Sequence, residues 1–224
     1  MKASMNLPAI IQTLSENQLL ISEFSLVEPL DIRGIVADSR QVQPGMLFVA
    51  IPGLTYDGHH FIDQAIRNGA VIVVGEQPNI EISVPYIQVA DSRRALAMLS
   101  AAWHGFPARK MTVIGVTGTD GKTTTCNFIY HILKAAGIAV GMISTVNAII
   151  GEESLDTGFH VTTPEAPQIQ GLLSKMAFRK PTPITHVVLE TTSHGLAQHR
   201  VAGCEYDIGV FTNITHEHLD FHGT

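Results

Sequence analysis

The chain has 224 residues, 45% of them hydrophobic and 15% charged, with a formal net charge of −6 at pH 7. That length holds one large or two small domains, and that apolar share builds packed cores and excludes a disordered chain. The acidic balance gives no electrostatic basis for binding nucleic acid. The two cysteines, Cys126 and Cys204, form neither a metal motif nor a disulfide framework, which points to a reducing compartment.

The opening stretch carries one lysine and no long apolar core, so it does not read as a signal peptide, and no window reaches the length of a membrane span. Both features point to the cytoplasm. Leu7, Ile10, Ile11 and Leu14 share a face and predict a helix over residues 7–20. Residues 32–37 read as a strand leading into Asp38-Ser39-Arg40, a ligand edge or an ordinary polar turn. Pro44-Gly45 signals a type II turn before a second strand over 46–51. Asp57-Gly58-His59-His60 is a polar loop whose two histidines are expected in solvent. A helix follows, with Phe61, Ile62, Ala65 and Ile66 inward and Gly69 as its stop. Residues 71–74 and 86–89 are further strands. Asp91 is placed to cap a helix that runs to about His104, with Ala95, Leu96, Leu99 and Trp103 inward. Phe106-Pro107 breaks the pattern, which places a domain boundary near residue 107.

The stretch MTVIGVTGTDGKTTTCN, residues 111–127, organises the second half of the chain. Val113, Ile114 and Val116 form the apolar run of a buried strand, and Phe128, Ile129, Ile132, Leu133 and Ala136 fall on one face of a helix. Between them lies Gly118-Thr119-Asp120-Gly121-Lys122-Thr123-Thr124. A strand-to-helix turn of this kind aims backbone N–H groups and the helix dipole at one spot, which suits phosphate. Gly118 and Gly121 permit the tight turn, Lys122 neutralises terminal phosphate charge, and Thr123 offers a hydroxyl to Mg²⁺. The match is to a shortened phosphate loop, GxxGKTT, with Val116 where the full pattern wants glycine.

A strand over 138–144 and a polar, glycine-containing stretch lead to Thr162-Thr163-Pro164-Glu165. Thr162 with Glu165 fits a capping box, and Thr163 with Pro164 fits an N-cap followed by proline. The helix face continues through Ile169, Leu172, Leu173 and Met176. Capping alone accounts for this segment as well as a second anion site does. Residues 185–189 are a β-branched strand ending at Glu190, on the rim where α/β sheets bind ligands. Beside a phosphate loop, that carboxylate is a natural Mg²⁺ ligand. Residues 191–195 give a run of small donors, followed by Gln198 and Arg200, the latter suited to pair with a carboxylate or phosphate. The last strand, over 207–212, ends on a polar rim at Asn213. His216, His218 and His222 raise a zinc site, but the segment lacks the HExxH pattern and a cysteine partner. Its place at the rim favours a histidine that supports a Mg²⁺–nucleotide site.

With these residues in place, the chain resembles the Mur ligases, ATP-dependent amide-forming enzymes of peptidoglycan synthesis. GVTGTDGKTTT, TTPE, LETTSHGLAQHRV and FTNITHEHLDFHGT carry the likeness in the second domain, and ADSRQVQPGMLFVAIPGLTYDGHHFIDQAIRNGA carries it in the first. SHGLAQHRV sets it closest to the branch that adds a diamino acid (meso-diaminopimelate or L-lysine) to UDP-N-acetylmuramoyl-L-alanyl-D-glutamate. The resemblance implies an α/β chain: a small N-terminal α/β UDP-sugar-binding domain over residues 1–107, then an incomplete P-loop, Rossmann-like, mostly parallel-sheet ATPase domain over 108–224, with the family's C-terminal domain absent. It implies ATP and Mg²⁺, an acyl-phosphate route, and a cytoplasmic monomer with no nucleic-acid partner and no membrane insertion.

On matching residues, Gly118, Thr119, Asp120, Gly121, Lys122, Thr123 and Thr124 would hold the ATP phosphates, with Lys122, Glu190 and His218 in the catalytic role. Thr123, Glu190 and His218 would serve Mg²⁺. Ser39 and residues 54–56 would touch uridine, and Thr162, Thr163, Thr192, Gln198 and Arg200 would hold the muramoyl-dipeptide end. Asp120 departs from the asparagine usual in the family. The chain stops at Thr224, short of the family's carbamylated lysine and third domain, as the N-terminal part of a longer ligase would. Two other readings stand beside it: a non-catalytic module that binds nucleotide or UDP-sugar, and a P-loop ligase of the folylpolyglutamate synthase type, which would lack this first domain.

Overall fold

The computed structural model describes residues 5–21, 30–53, 56–156, 163–216 and 218–223. The chain divides into two compact units, Met1–Gly105 and Phe106–Thr224. In the first, β1 (Met5–Asn6) leads directly into α1 (Leu7–Glu16) and pairs antiparallel with β2 (Asp31–Ile32). Asn6 caps α1 by accepting from the Ala9 N–H at 3.0 Å. The helix ends short of residue 20, because Gln18 turns to a positive φ of 57°. The strand expected over 32–37 is split into β2 and β3 (Ile35–Val36). A parallel sheet then runs in the order β3, β4 (Met46–Val49), β5 (Ala70–Gly75), β6 (Tyr86–Gln88). α2 (Ile62–Arg67) and α3 (Ser92–Trp103) complete the unit, and Phe48, Ala50, Ile62, Ala65 and Val73 form one buried cluster. Phe61 is more exposed than its expected inward place, at 38%.

His59 overturns an expectation. It is not a solvated loop residue: its side chain is 2% exposed. Its Nε2 accepts from the Glu76 backbone N–H at 3.0 Å, so the ring proton sits on Nδ1, which lies 2.6 Å from Asp57 Oδ1 and donates to it. The ring therefore pins the loop after β4 to the end of β5.

Among the described residues, the second unit is built on six strands, β7 (Thr112–Thr117), β8 (Val140–Ile143), β9 (Asn147–Ile150), β10 (Glu153–Asp156), β11 (His186–Glu190) and β12 (Ile208–Phe211). Their order is β10-β9-β8-β11-β7-β12. β8, β11, β7 and β12 run parallel, and the β9–β10 hairpin adds antiparallel at one edge. That hairpin lies in the stretch read only as polar and glycine-containing. The central strands are apolar on both faces because both are covered. Val113, Val187 and Leu189 pack with α5 (Ala166–Ala177), while Ile114, Val116 and Val188 pack with α4 (Lys122–Ala135). The period of two along each strand thus places α4 and α5 on opposite faces.

Two helix expectations are corrected. α4 buries Cys126 and Tyr130, flanked by Ile129 and Leu133, and leaves Phe128 and Ile132 64% and 66% exposed. At 3.6 residues per turn both lie more than about 100° round the axis from Cys126. α5 begins after Glu165, not after Thr162 or Thr163: the Gln168 side chain reaches back to accept from the Glu165 N–H at 3.2 Å. Pro167 falls in the first turn, where its missing N–H costs nothing. Thr162 lies outside the described residues. Two short helices follow, α6 (Ser193–Ala197) and α7 (Leu219–His222). Among the described residues, no helix is long and apolar enough to cross a membrane.

Candidate functional site

The site of the second unit lies at the C-terminal ends of β7, β11 and β12, which meet as neighbours. From β7 the chain enters the loop at Gly118, whose φ is +138°, and reaches α4 through Gly121 at φ +78°. Gly118 is fixed by crowding as well as by φ. A methyl there would overlap Thr212 Oγ1 and sit 2.7 Å from Asn213 O. Gly121 has open space beside it. Lys122 folds back over the loop, its Nζ donating to the carbonyls of Gly118 at 2.8 Å and Thr119 at 2.7 Å.

Thr123 opens α4 beside Glu190 and donates to its Oε1 at 2.8 Å. The Thr145 backbone N–H donates to Oε2 at 3.0 Å. Glu190 is 1% exposed, a carboxylate taken out of water at the strand end and fastened to the phosphate loop. It shares this surrounding with Cys126, whose thiol is pushed up to about 12, first by burial and then by the Glu190 charge.

His218 adopts φ 55°, and its ring stands edge-on to His194 with centroids 4.5 Å apart. It shares a cleft of about 460 Å³ with Gly118, Thr119, Ser193, Asn213 and His216. Among the described residues the cleft wall includes neither Thr123 nor Glu190, and no group of three acidic, histidine or cysteine side chains is arranged to hold a metal ion.

Thr163, Thr192, Gln198 and Arg200 come together in one network. Thr192 caps α6 by accepting from the Gly195 N–H at 3.0 Å, and its hydroxyl lies 3.0 Å from that of Thr163. Arg200 donates to the Thr163 carbonyl at 2.8 Å and twice to Gln198 Oε1, at 3.0 and 2.6 Å, and pairs with Glu165 at 3.1 Å. In the first unit, Ser39 is buried, with its hydroxyl 3.0 Å from Gln64 Oε1. It lines a cleft of about 480 Å³ with Arg40, Phe48, Tyr56, Phe61 and Gln64. Of the expected stretch 54–56, only Tyr56 is among the described residues.

Sequence reasoning missed three contributors. Thr145 acts through its backbone and leaves no side-chain signal. Thr212 and Asn213 were visible as the polar end of the last strand, but the loop they touch is more than ninety residues away in sequence.

A parallel strand, a glycine-turned loop, a helix opening with lysine and threonine, and a buried acidic residue on the next strand define a P-loop α/β domain. The sequence matches the Mur ligase middle domain over residues 116–224 and the Mur ligase family catalytic domain over residues 31–104. The chain belongs to the Mur ligase family.

It is 48% identical over 198 residues to the UDP-N-acetylmuramyl-tripeptide synthetase of Roseiflexus sp. (strain RS-1), covering 87% of this chain and 38% of that one. It is 45% identical over 194 residues to the UDP-N-acetylmuramoyl-L-alanyl-D-glutamate--2,6-diaminopimelate ligase of Geobacillus thermodenitrificans (strain NG80-2), with the same shares covered. The chain thus spans 38% of the length of these curated relatives. A solved UDP-N-acetylmuramoyl-L-alanyl-D-glutamate--2,6-diaminopimelate ligase superposes with a TM-score of 0.75 at 27% identity, over 95% of this chain and 42% of that one. MurF ligase from Thermotoga maritima, in complex with ADP, superposes at 0.54 and 30% identity, over 85% and 39% of the two chains.

Proposed function

We propose that this chain supplies the ATP and UDP-sugar sites of an ATP-dependent amide-bond ligase of peptidoglycan precursor synthesis. The reaction adds a diamino acid to UDP-N-acetylmuramoyl-L-alanyl-D-glutamate. The observation that carries this reading is Glu190. Its carboxylate is buried and accepts from the loop's own Thr123 and from Thr145, which leaves lone pairs for a hard cation beside a phosphate loop. A charge held out of water in this way is costly unless a counter-ion completes it.

On this reading the N–H groups that open α4 and the Lys122 ammonium hold the ATP phosphates, Lys122 leaving the carbonyls of Gly118 and Thr119 to do so. Thr123, Glu190 and His218 would hold Mg²⁺, which would supply positive charge against the transferred phosphoryl group. The substrate carboxylate takes up that phosphoryl group with release of ADP, and the incoming amine displaces phosphate from the acyl carbon as it forms the amide and gives up a proton. In the first unit, the UDP-sugar-binding domain, Ser39 and the exposed aromatic Tyr56 meet the uridine part. In the second, Thr162, Thr163, Thr192, Gln198 and Arg200 position the peptide-bearing end. We place the protein in the cytoplasm as a monomer, which sedimentation of the purified chain tests.

Calorimetric titration of the 224-residue chain with ATP and Mg²⁺ tests the site. Lys122→Ala is expected to abolish detectable binding. Absence of binding in the unaltered chain, or unchanged affinity in Lys122→Ala, removes the phosphate-loop assignment.

A further inference from the structure

The hydrogen bonds of the loop leave a question that the phosphate-loop reading does not answer. The N–H groups of Thr119 and Asp120 are already used: Thr119 N–H donates to Asn213 O at 3.1 Å and Asp120 N–H to Asn213 Oδ1 at 3.0 Å. They cannot serve a phosphate in this conformation. The carbonyls of residues 117–120 are used as well. Thr117 O accepts from the Thr212 N–H at 3.0 Å. Gly118 O and Thr119 O accept from Lys122. Asp120 O accepts from Thr212 Oγ1 at 2.6 Å and Asn213 Nδ2 at 3.3 Å. Thr215 N–H closes the set on Thr119 Oγ1 at 3.0 Å.

We infer that Thr212 and Asn213, just past the end of β12, are positioning residues that set the nucleotide affinity of the phosphate loop. The Asn213 amide pairs with both backbone polar groups of Asp120, as one strand pairs with another. Together with the Thr212 hydroxyl it occupies the Asp120 carbonyl. A carbonyl left free beside the start of α4 would repel a polyphosphate. With these loop groups engaged, the N–H groups that open α4, which have no partner within the helix, are the donors left to meet an anion. The donors are thus arranged before an anion arrives, the condition under which fixed dipoles act most strongly. The absence of a side chain at Gly118 follows from the same device, since Thr212 and Asn213 pack where its Cβ would stand. These residues act through the loop and need not touch the nucleotide.

The inference rests on the phosphate-loop reading, and the experiment separates the two. Thr212→Val keeps the branched shape and removes the hydroxyl, Thr212→Ser restores it, and Asn213→Ala removes the amide. Each is made in the full chain and titrated with ATP and Mg²⁺, and hydrogen exchange is followed at the amides of residues 119–121 and along β7 and β11. The loss of one or two loop hydrogen bonds is expected to weaken binding about tenfold in Thr212→Val and in Asn213→Ala. Thr212→Ser should bind as the unaltered chain does. Exchange should quicken at residues 119–121 in the two weakened variants, with β7 and β11 unchanged. Unaltered affinity in Thr212→Val overturns the inference while leaving the site assignment intact. Failure of Thr212→Ser to restore binding also overturns it, since the hydroxyl is then not the active feature. No nucleotide binding in the unaltered chain overturns both readings. Should Asn213→Ala fail to fold, the two Thr212 variants decide alone.

Discussion

Glu190 and Cys126 show how one buried charge at the strand end shapes its surroundings. Glu190→Gln preserves the side-chain shape. Its amide oxygen can accept from Thr145 N–H, and its NH₂ can donate to the Thr123 hydroxyl, so the fold should survive. What it loses is the charge. The gain in nucleotide affinity on adding Mg²⁺ should fall by roughly tenfold or more in this variant, while affinity without the metal stays level or rises; an undiminished gain would remove Glu190 from the metal site. Cys126 carries a consequence for pH. Burial first, then the Glu190 charge, holds its thiol at about 12 against 9.0 for a free thiol. Raised in the folded state, this group contributes stability in full below pH 9, and that contribution is lost as pH climbs through the interval to 12. Thermal midpoints across this range should fall less steeply for Cys126→Ala than for the unaltered chain, even if its midpoint at neutral pH is lower.

At the level of elements, caps and covered faces decide what could be read in advance. Asp91 was legible as a cap, and its side chain accepts from the Arg94 N–H at 2.8 Å. Asp91→Ala should cost α3 about 1 kcal/mol, measured by chemical denaturation. The central strands were legible because a sheet covered on both faces writes continuous apolar runs. The inner face of α4 was not. Phe128 and Ile132 are the more hydrophobic pair, yet they point outward while Cys126 and Tyr130 point in. Hydrophobicity alone does not say which of two apolar stripes meets the sheet. α5 was misplaced at its start because Thr162 and Thr163 each fit a cap, whereas the reach of Gln168 to the Glu165 N–H starts the helix after Glu165. The β9–β10 hairpin was missed since its turn, Gly151-Glu152, is a weak signal. His59 was misjudged because loop polarity concealed a ring with a partner on each nitrogen.

For the molecule as a whole, each of the two units carries a cleft of comparable size, about 480 Å³ around Ser39 in the first and about 460 Å³ beside the phosphate loop in the second. The loop between β7 and α4 was legible through glycine spacing and flanking periodicity, all local in sequence. The Ser39 cleft did not, since Ser39, Phe48 and Gln64 are brought together only by β4 and α2. A ligand that binds only the folded state stabilises what it touches, by about 2.7 kcal/mol at a hundredfold excess over its dissociation constant. If the two clefts divide the work as proposed, that protection should divide by unit. UDP alone should slow hydrogen exchange near Ser39 and Gln64 and leave residues 118–124 unchanged, while ADP with Mg²⁺ should do the reverse. Ser39→Ala should erase or weaken the first pattern without touching the second, since its hydroxyl lies in one cleft alone. Protection by UDP at the phosphate loop and nowhere else would show that a single site accepts both nucleotides, and the assignment of the first unit to the UDP-sugar would then fall.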